Sequence, residues 1–458
     1  MRDWRETDRW LMGEVWTGSR IGGHAIQLCD VIGPRWASTE AERLCAEYIR
    51  KQFAASAMTA QMQPFQMQTW AHGKPQAKLL PESISIDMVP YFRCPAFSVA
   101  ATVADVGFGT PGELDGLEDS ALRGTVAVMA SACQPFSPPL SVADRLRLLA
   151  SRGVAAVLVI DAKDGGRMEY RWGHDMREDG FRDPPLPTVT ISREHGALLR
   201  KRVGATIEIA IDTQFSEAPT ANVVAELAGD LWPHEHLVIG AHHDTVFGSP
   251  GGNDNGSGVI ALIETARILN EWCGATGQAP GRTIRFVSFS AEEQSLQGSA
   301  AYVEDNYAAG QMPEPRLAIN LDELSAGFMK GLVLGFPHLR GLIQQQFDTM
   351  GDGLVCHVMP QLDGGSDHFS FFRAGIDAAH VWRWRFHASN PDALFHHEAA
   401  DTADKINVRE LKEHVGCLAR LLLRLADVPP DRWPRNDITA ADVGRQLERE
   451  RAGVARSR

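Results

Sequence analysis

From Asn222 onward, short apolar runs alternate with segments of helical periodicity, and this alternation constrains the fold more than any other feature of the chain. The apolar runs are Val223–Leu227, His236–Gly240, Thr283–Phe289, Leu317–Leu321 and Ala378–Trp382. The helical patterns begin at Val259 and cover Gly298–Asn306 and Val408–Ala426. Such alternation is typical of a mostly parallel sheet with helices on both faces. The predicted class is therefore α/β with a mostly parallel central sheet.

The segment from residue 86 to 212 has a different character, because short β-type runs separated by Gly and Pro dominate it. It contains few clustered His or carboxylate residues, and one helix is predicted there, at about Val142–Ser151. We interpret it as an inserted β-rich domain. The main domain is then discontinuous, formed by residues 1–85 and 213–430, and residues 431–458 form a charged tail. The strands predicted in the insert are Thr125–Met129, Ala155–Ile160, Thr188–Ile191 and Thr206–Ile211.

Residues 1 to about 75 are predicted to be helical, most clearly over Thr39–Phe53. Ser38 is the predicted N-cap of that helix, because a Ser side chain accepts from the free N–H groups of the first turn. The residues expected on its buried face are Leu44, Tyr48, Ile49 and Phe53.

Charge and composition limit the class of partner. A net charge of -13 disfavours nucleic acid or an anionic membrane surface. We find no run near the ~18 apolar residues of a membrane helix, and no apolar segment of a signal peptide in MRDWRETDRW. The seven cysteines are scattered without a C-x-x-C pair. We therefore expect a soluble, cytoplasmic protein with reduced thiols, and the number of subunits is undetermined.

A G-x-G-x-x-G string at Gly107–Gly112 does not predict a dinucleotide site. A dinucleotide loop opens a helix whose N-terminus holds the pyrophosphate, whereas here an acidic segment interrupted by Gly116 follows. An ordinary turn is expected.

Polar clusters follow the predicted strands at their ends. His242 and Asp244 come directly after the run that ends at Gly240, and a loop rich in Gly, Pro and Asn leads to Asp254. Because parallel strands end at one edge of a sheet, we expect these clusters to meet there. The other clusters are Glu292 and Glu293, Asp322 and Glu323, and the string His396, His397 and Asp401.

Electrostatic repulsion determines what must bind if these clusters lie together. Asp254, Glu292, Glu293 and Asp322 bring four carboxylates together. Each pair at about 4 Å costs on the order of 4 kcal/mol at an effective dielectric near 20. Two divalent ions with imidazole and carboxylate ligands would offset this repulsion. The sequence therefore predicts two metal ions, Zn²⁺ first, with Mn²⁺ or Co²⁺ as alternatives.

The order of these motifs resembles that of the co-catalytic zinc aminopeptidases, a family that also includes glutamate carboxypeptidase, the transferrin receptor and glutaminyl cyclase. The resemblance covers about residues 215 to 425 and rests on five ordered strings: His-x-Asp, Asn-Asp-Asn-x-Ser-Gly, Ala-Glu-Glu, Leu-Asp and His-x-x-x-Asp-Thr. The insert is similar, more weakly, to the protease-associated domain that several members carry.

The resemblance implies a role for each matching residue. Asp254 would bridge the two metals, His242 and Asp322 would complete one site, and Glu293 and His397 the other. Glu292 would be the general base. Asp244 would hold the imidazole of His242 in one tautomer. For Asp401, placement in the sequence alone suggests the same role beside His397.

The implied activity is an exopeptidase acting on a peptide or small amide, most simply an aminopeptidase. A carboxypeptidase or dipeptidase on the same scaffold, glutaminyl cyclisation and a non-catalytic receptor stay open. His396 stands where several relatives have Tyr, and it offers an N–H to an oxyanion. His243 is a competing ligand. Arg383 and Arg385 are expected at a solvated strand edge, with binding of a substrate carboxylate as the alternative. Ser366-Asp367-His368 is assigned structural ordering.

Overall fold

The structure is a computed structural model that describes residues 2–132, 140–174, 183–325, 327–351, 353–382 and 395–456. Its strands, in chain order, are β1 (Ala60–His72), β2 (Gln76–Leu79), β3 (Ile84–Ser85), β4 (Met88–Pro90), β5 (Phe97–Asp105), β6 (Val126–Ala130), β7 (Ala156–Ile160), β8 (Thr188–Ile191), β9 (Thr206–Ile211), β10 (Thr213–Leu227), β11 (Trp232–His242), β12 (Arg282–Phe289), β13 (Ala318–Asn320), β14 (Gly331–Leu334), β15 (His357–Pro360) and β16 (Ala378–Val381).

The α-helices are α1 (Trp4–Gly18), α2 (Ile21–Ala25), α3 (Glu40–Ala55), α4 (Pro111–Asp115), α5 (Asp119–Leu122), α6 (Val142–Ser151), α7 (Arg193–Arg200), α8 (Gly258–Thr276), α9 (Gln297–Val303), α10 (Arg340–Asp348), α11 (His368–Arg373), α12 (Val408–Ala426) and α13 (Ala440–Arg456). Shorter π- or 3₁₀-helical turns lie at Ile26–Ile32, Gly252–Ser257, Glu304–Ala308, Pro337–Leu339, Ala403–Lys405 and Pro430–Arg432.

The described chain divides into two compact units. The first comprises Met1–Met67 and Ala218–Arg458, and the second comprises Gln68–Glu217. The boundaries expected from the sequence, residues 86 and 212, lie inside the second unit.

The first unit is built on a sheet of order β1-β10-β12-β11-β13-β16-β14-β15. Its centre is parallel, because β12 and β11, β11 and β13, and β13 and β16 all pair in parallel. Antiparallel pairing occurs between β10 and β12 and between β14 and β16. The predicted mostly parallel central sheet is confirmed.

Alternate residues of the central strands enter two different cores. Ile239 joins the core that contains Trp272 of α8, whereas Val238 joins the one formed with Tyr302 of α9 and Phe371 of α11. Burying side chains of this size contributes about 1.5–3 kcal/mol each. Helices therefore cover both faces of the sheet, as the alternation of strands and helices predicts.

The structure of the N-terminal segment differs from the prediction in three details. Residues 60–72 form β1, not helix. The N-cap of α3 is Thr39, whose side chain accepts from the N–H of Glu42, whereas Ser38 has a left-handed backbone with φ of 73°. Leu44 is 46% exposed, and Cys45 is buried with Ile49 and Phe53. The helix therefore begins at Glu40, one residue later than expected, and its buried face includes Cys45 instead of Leu44.

The second unit contains its own sheet, of order β3-β2-β9-β5-β6-β7-β8-β4. Strands β5 to β8 are parallel, and β9 runs antiparallel to β5. The four strands and the helix predicted in this segment are present within one residue of their expected bounds. Its identity as a protease-associated domain stays a prediction.

The Gly107–Gly112 turn is closed by a carboxylate. Glu113 accepts hydrogen bonds from the N–H groups of Phe108 and Thr110 at 3.1 Å. A side-chain carboxylate thus occupies donors that a phosphate would need, which agrees with the interpretation as a turn.

The C-terminal tail contains α13, and Val443 and Leu447 on this helix are buried. The described part of this tail is therefore packed. Among the described residues, the helices are too short or too polar to span a bilayer.

Candidate metal centre

Three neighbouring parallel strands deliver the predicted clusters to one edge of the sheet. β11 ends at His242, which pairs with Phe289 at the end of β12. β13 ends at Asn320, two residues before Asp322. Because these strands run in one direction, the residues that follow them lie together, as expected.

The first group of candidate ligands surrounds His242. Its Nε2 lies 3.4 Å from Oδ1 of Asp254 and 3.4 Å from Oδ1 of Asp322. All three side chains are buried, with at most 6% of each exposed. The structure brings together the three residues predicted for one site.

The second group surrounds His397. Its Nε2 lies 3.1 Å from Oδ2 of Asp254 and 3.4 Å from Oε2 of Glu293. Asp254 therefore presents Oδ1 to one histidine and Oδ2 to the other. This is the arrangement that a carboxylate bridging two ions requires.

The spacing of these atoms fits metal ligation. Tetrahedral ligands at about 2.1 Å from an ion are roughly 3.4 Å apart. Nε2 of His242 and Oε2 of Glu293 are buried and make no hydrogen bond to any residue of the described chain, although carboxylate or imidazole atoms lie close to both. The residues thus fit a pair of divalent cations.

Asp244 fixes the turn that carries the two glutamates. Its Oδ1 accepts from the N–H of Glu292 at 3.1 Å, and its Oδ2 from the N–H of Glu293 at 3.2 Å. Nδ1 of His242 donates to the main-chain oxygen of Asp244 at 3.2 Å, with the carboxylate at 3.6 Å. The backbone carbonyl thus sets the tautomer of His242, and the carboxylate orients the Glu292–Glu293 turn.

Asp401 differs from its expected role beside His397. Its carboxylate accepts from the N–H of Asn253 at 2.8 Å and from the N–H of Asp254 at 2.9 Å. The glycine-rich loop turns its amides toward the carboxylate, so Asp401 orients the bridging residue.

His243 does not compete as a ligand, because it belongs to a separate buried network. Its Nε2 lies 2.9 Å from Oε1 of Glu42, which also accepts from Thr220 and Ser290 at 2.8 Å. Nδ1 of His243 lies 3.0 Å from the hydroxyl of Ser288. Glu42 of α3 thereby ties the ends of the central strands together. No local pattern marks it, since its partners are some 180–250 positions away in the sequence.

His396 lies beside the bridging carboxylate. Its Nδ1 is 3.2 Å from Oδ2 of Asp254 and 2.9 Å from Oε1 of Glu323. The imidazole thus contacts two carboxylates at the site, and its proposed role as a donor to an oxyanion stays a prediction.

Burial and crowding shift the titration of the site. Burial, followed by repulsion from Asp254 and Glu292, raises the pKa of Glu293 well above 4.5. Burial likewise raises the pKa of Glu292, with Asp367, Asp322 and Asp254 adding to the shift. Burial opposes the charged form of His242, but the surrounding carboxylates outweigh it and raise its pKa well above 6.5. The cluster thus attracts positive charge, either protons or metal ions.

Ser366 and Asp367 connect the site to the strand beside it. The side-chain amide of Asn320 donates to the hydroxyl of Ser366 at 2.7 Å. Asp367 is buried, and burial raises the pKa of its carboxyl to about 7. Arg383 and Arg385, the candidates for a substrate carboxylate, lie outside the described residues.

The fold and the paired ligand groups define an α/β protein with a candidate two-metal centre at the carboxyl edge of its sheet. Residues 222–422, which hold every candidate ligand of this centre, match the model of peptidase family M28.

Curated relatives include aminopeptidases. The chain is 28% identical to aminopeptidase YwaD of Bacillus subtilis over 233 residues, 50% of this chain and 49% of that protein. It is 25% identical to a probable leucine aminopeptidase 2 of Aspergillus oryzae over 75% of this chain and 70% of that protein. The match to the first of these spans only about half of its length.

Solved structures show the same fold. A peptidase M28 precursor from Shewanella amazonensis aligns over 94% of this chain and 99% of its own, with a TM-score of 0.76 at 20% identity. The zinc aminopeptidase BSAP from Bacillus subtilis aligns over 92% and 97%, with a TM-score of 0.68 at 20% identity.

Proposed function

We propose that this protein is a metal-dependent aminopeptidase that hydrolyses the N-terminal peptide bond of peptides or small amides. The observation that carries the proposal is the division of the Asp254 carboxylate between His242 and His397, with the carboxylate of Glu292 near His242. The M28 match over residues 222–422 and the aminopeptidases among the curated relatives support it.

The proposed ligands are His242, Asp254 and Asp322 for one ion, and Asp254, Glu293 and His397 for the other. Zinc suits their mixture of imidazole and carboxylate, and the zinc aminopeptidase among the similar folds agrees with that choice. A bound pair of divalent ions supplies Lewis-acid polarisation of a carbonyl and a water of lowered pKa.

Glu292 is the proposed general base. Its Oε2 lies 4.0 Å from Nε2 of His242, at the limit of direct contact, and its side chain is 11% exposed. Asp244 holds its backbone N–H, so the carboxylate projects from a fixed turn. Glu292 takes a proton from the attacking water and returns it to the leaving amine, a role typically worth a factor of 10² to 10⁴ in rate.

The charge of the described site favours a substrate amine over a substrate carboxylate. Glu323 places a further carboxylate beside Asp254, in contact with His396 and 15% exposed. A free α-ammonium group is attracted to such surroundings, whereas a C-terminal carboxylate is repelled. This supports an aminopeptidase over the carboxypeptidase alternative.

The test is a matched set of substrates with and without chelator. Leucine p-nitroanilide should be hydrolysed, its N-acetylated form should not, and a chelator should abolish turnover until Zn²⁺ is restored. Release of C-terminal residues from N-blocked peptides would indicate a carboxypeptidase. Absence of turnover with metal bound would contradict the proposal. The cytoplasmic location expected from the sequence stays a prediction.

A further inference from the structure

A second group of potential metal ligands lies outside the centre already described. It consists of Asp363, in the loop before α11, His368, the first residue of α11, and His380 of β16. One ligand atom from each lies within 4.8 Å of the others. Both imidazoles are buried, and their ring centroids are 4.6 Å apart.

Hydrogen bonds to backbone oxygens set the protonation of both imidazoles. Nε2 of His368 is 2.9 Å from the carbonyl oxygen of Asp363, and Nδ1 of His380 is 3.0 Å from that of Val381. A carbonyl oxygen only accepts, so each of these nitrogens carries the proton. In the neutral rings, Nδ1 of His368 and Nε2 of His380 therefore carry the lone pairs.

The carboxylate of Asp363 is also held by a hydrogen bond to the backbone. Oδ1 of Asp363 accepts from the N–H of Gly365 at 2.9 Å, and Oδ2 lies 3.3 Å from Nε2 of His380. Metal-binding histidines usually donate their other N–H to a carbonyl, and ligating carboxylates are themselves hydrogen-bonded. The side chains of Asp363, His368 and His380 all make such supporting hydrogen bonds.

We propose that Asp363, His368 and His380 bind a third divalent transition-metal ion. Two imidazole nitrogens and one carboxylate oxygen form a donor set suited to Zn²⁺ or Co²⁺. A cation accepts electron pairs from all three atoms at once, whereas a proton shared between His380 and Asp363 joins only two of them. The site does not depend on the aminopeptidase function.

The proposed third ion has a structural role. It joins the 363–368 loop to β16, and that loop carries Ser366, which is held by Asn320 of β13. Binding therefore fixes the loop against two adjacent strands of the sheet, close to the chain that leads to Asp322.

The test is a count of bound metal. Zinc-loaded protein, freed of excess metal by gel filtration, should contain three ions per chain by mass spectrometry. His380→Gln and Asp363→Asn should each contain two. The matched control, His357→Gln, replaces an exposed histidine of β15 and should retain three.

A second measurement separates this site from the main centre and does not rely on the folding of one variant. In an Asp254→Asn background, added Co²⁺ should leave one tightly bound ion with visible absorption. That absorption should disappear on adding Asp363→Asn, while circular dichroism shows a folded chain. Two ions in the wild type with none in Asp254→Asn, or unchanged metal content in both site variants, would overturn the proposal.

Discussion

The carboxylate of Asp401 accepts a hydrogen bond from the backbone N–H of Asp254 at 2.9 Å, across 147 positions of sequence. Its other oxygen holds the N–H of the preceding residue, Asn253. Asp254, which presents one oxygen to His242 and the other to His397, is thus fixed through its own backbone. Loss of this contact should reach the metal centre without removing a ligand.

Asp401→Asn should weaken metal binding. The amide replaces one acceptor oxygen with an NH₂ group that faces a backbone donor, so the Asp254 loop shifts. Substitution of residues that orient ligands typically costs 10- to 100-fold in metal affinity or activity. Titration with a metal buffer measures the change. The matched control is Asp404→Asn, an exposed carboxylate in the same segment, which should bind metal as the wild type does. Equal affinities for both variants would contradict the role of Asp401.

Glu42→Ala should destabilise the first unit by about 2–4 kcal/mol, because it leaves buried donors of Thr220, Ser290 and His243 without their shared acceptor. The free energy of unfolding from urea titration measures this. Glu40→Ala, on the same helix with 67% of the side chain exposed, should leave it close to the wild-type value, because exposed ion pairs contribute little to stability. Similar losses in the two variants would show that the buried network contributes nothing specific.

Removal of metal should lower the thermal stability of the protein. Without metal ions, only protons offset the repulsion among the buried carboxylates of Asp254, Glu293 and Asp322, and each like-charged pair at about 4 Å costs on the order of 4 kcal/mol at an effective dielectric near 20. Calorimetry should show a lower Tm after chelation and its recovery with Zn²⁺, while far-ultraviolet circular dichroism changes little. An unchanged Tm would mean that the cluster does not bind the ions. Addition of the metal-saturated chelator controls for direct effects of the chelator.

A buried histidine remote from the metal ligands should give a defined pH dependence. Burial lowers the pKa of His414 from 6.5 to about 4, and its Nε2 donates to the carbonyl of Gly327. Between these values the unfolded chain binds a proton that the folded chain does not. Stability should therefore fall as the pH is lowered from 6.5 to about 4, by roughly 2–3 kcal/mol at pH 4.5.

The comparison with His414→Gln isolates the contribution of His414 to this pH dependence, because the other titrating groups are common to both proteins. Urea unfolding at pH 7 and pH 4.5 should show a smaller loss of stability in the variant. Equal losses would mean that His414 is not the titrating group.

Residues that follow the central strands were predictable from the sequence. His242, Glu293 and Asp322 each lie within a few positions of a strand end, and parallel strands bring their ends to one edge. Local pattern and a general rule of sheet geometry were therefore enough to place them together.

Other contacts were not predictable because they join distant parts of the chain. Glu42 looks like any other charged residue of an amphipathic helix until α3 packs against the strand ends. Asp401 was assigned to the neighbouring His397, whereas it contacts the backbone of Asp254. His380 lies in an apolar run, and only the fold brings Asp363 within 3.3 Å of it.

The boundaries of α3 show a different limit. Ser38 and Thr39 are both good capping residues, and the positive φ of Ser38 decides between them. Leu44 is exposed because the buried face centres on Cys45 and Ile49. The predicted and the observed buried faces of α3 differ by a rotation of about one residue. Hydrophobic periodicity alone does not resolve so small a difference.

The most direct test of the account is the metal content and turnover of Glu292→Gln measured on the same preparation. The variant should bind as much metal as the wild type, because Glu292 is not a proposed ligand, and should lose about 10²- to 10⁴-fold in turnover of leucine p-nitroanilide. Turnover equal to that of the wild type, with metal fully bound, would contradict the assignment of Glu292 as the base of a two-metal hydrolase.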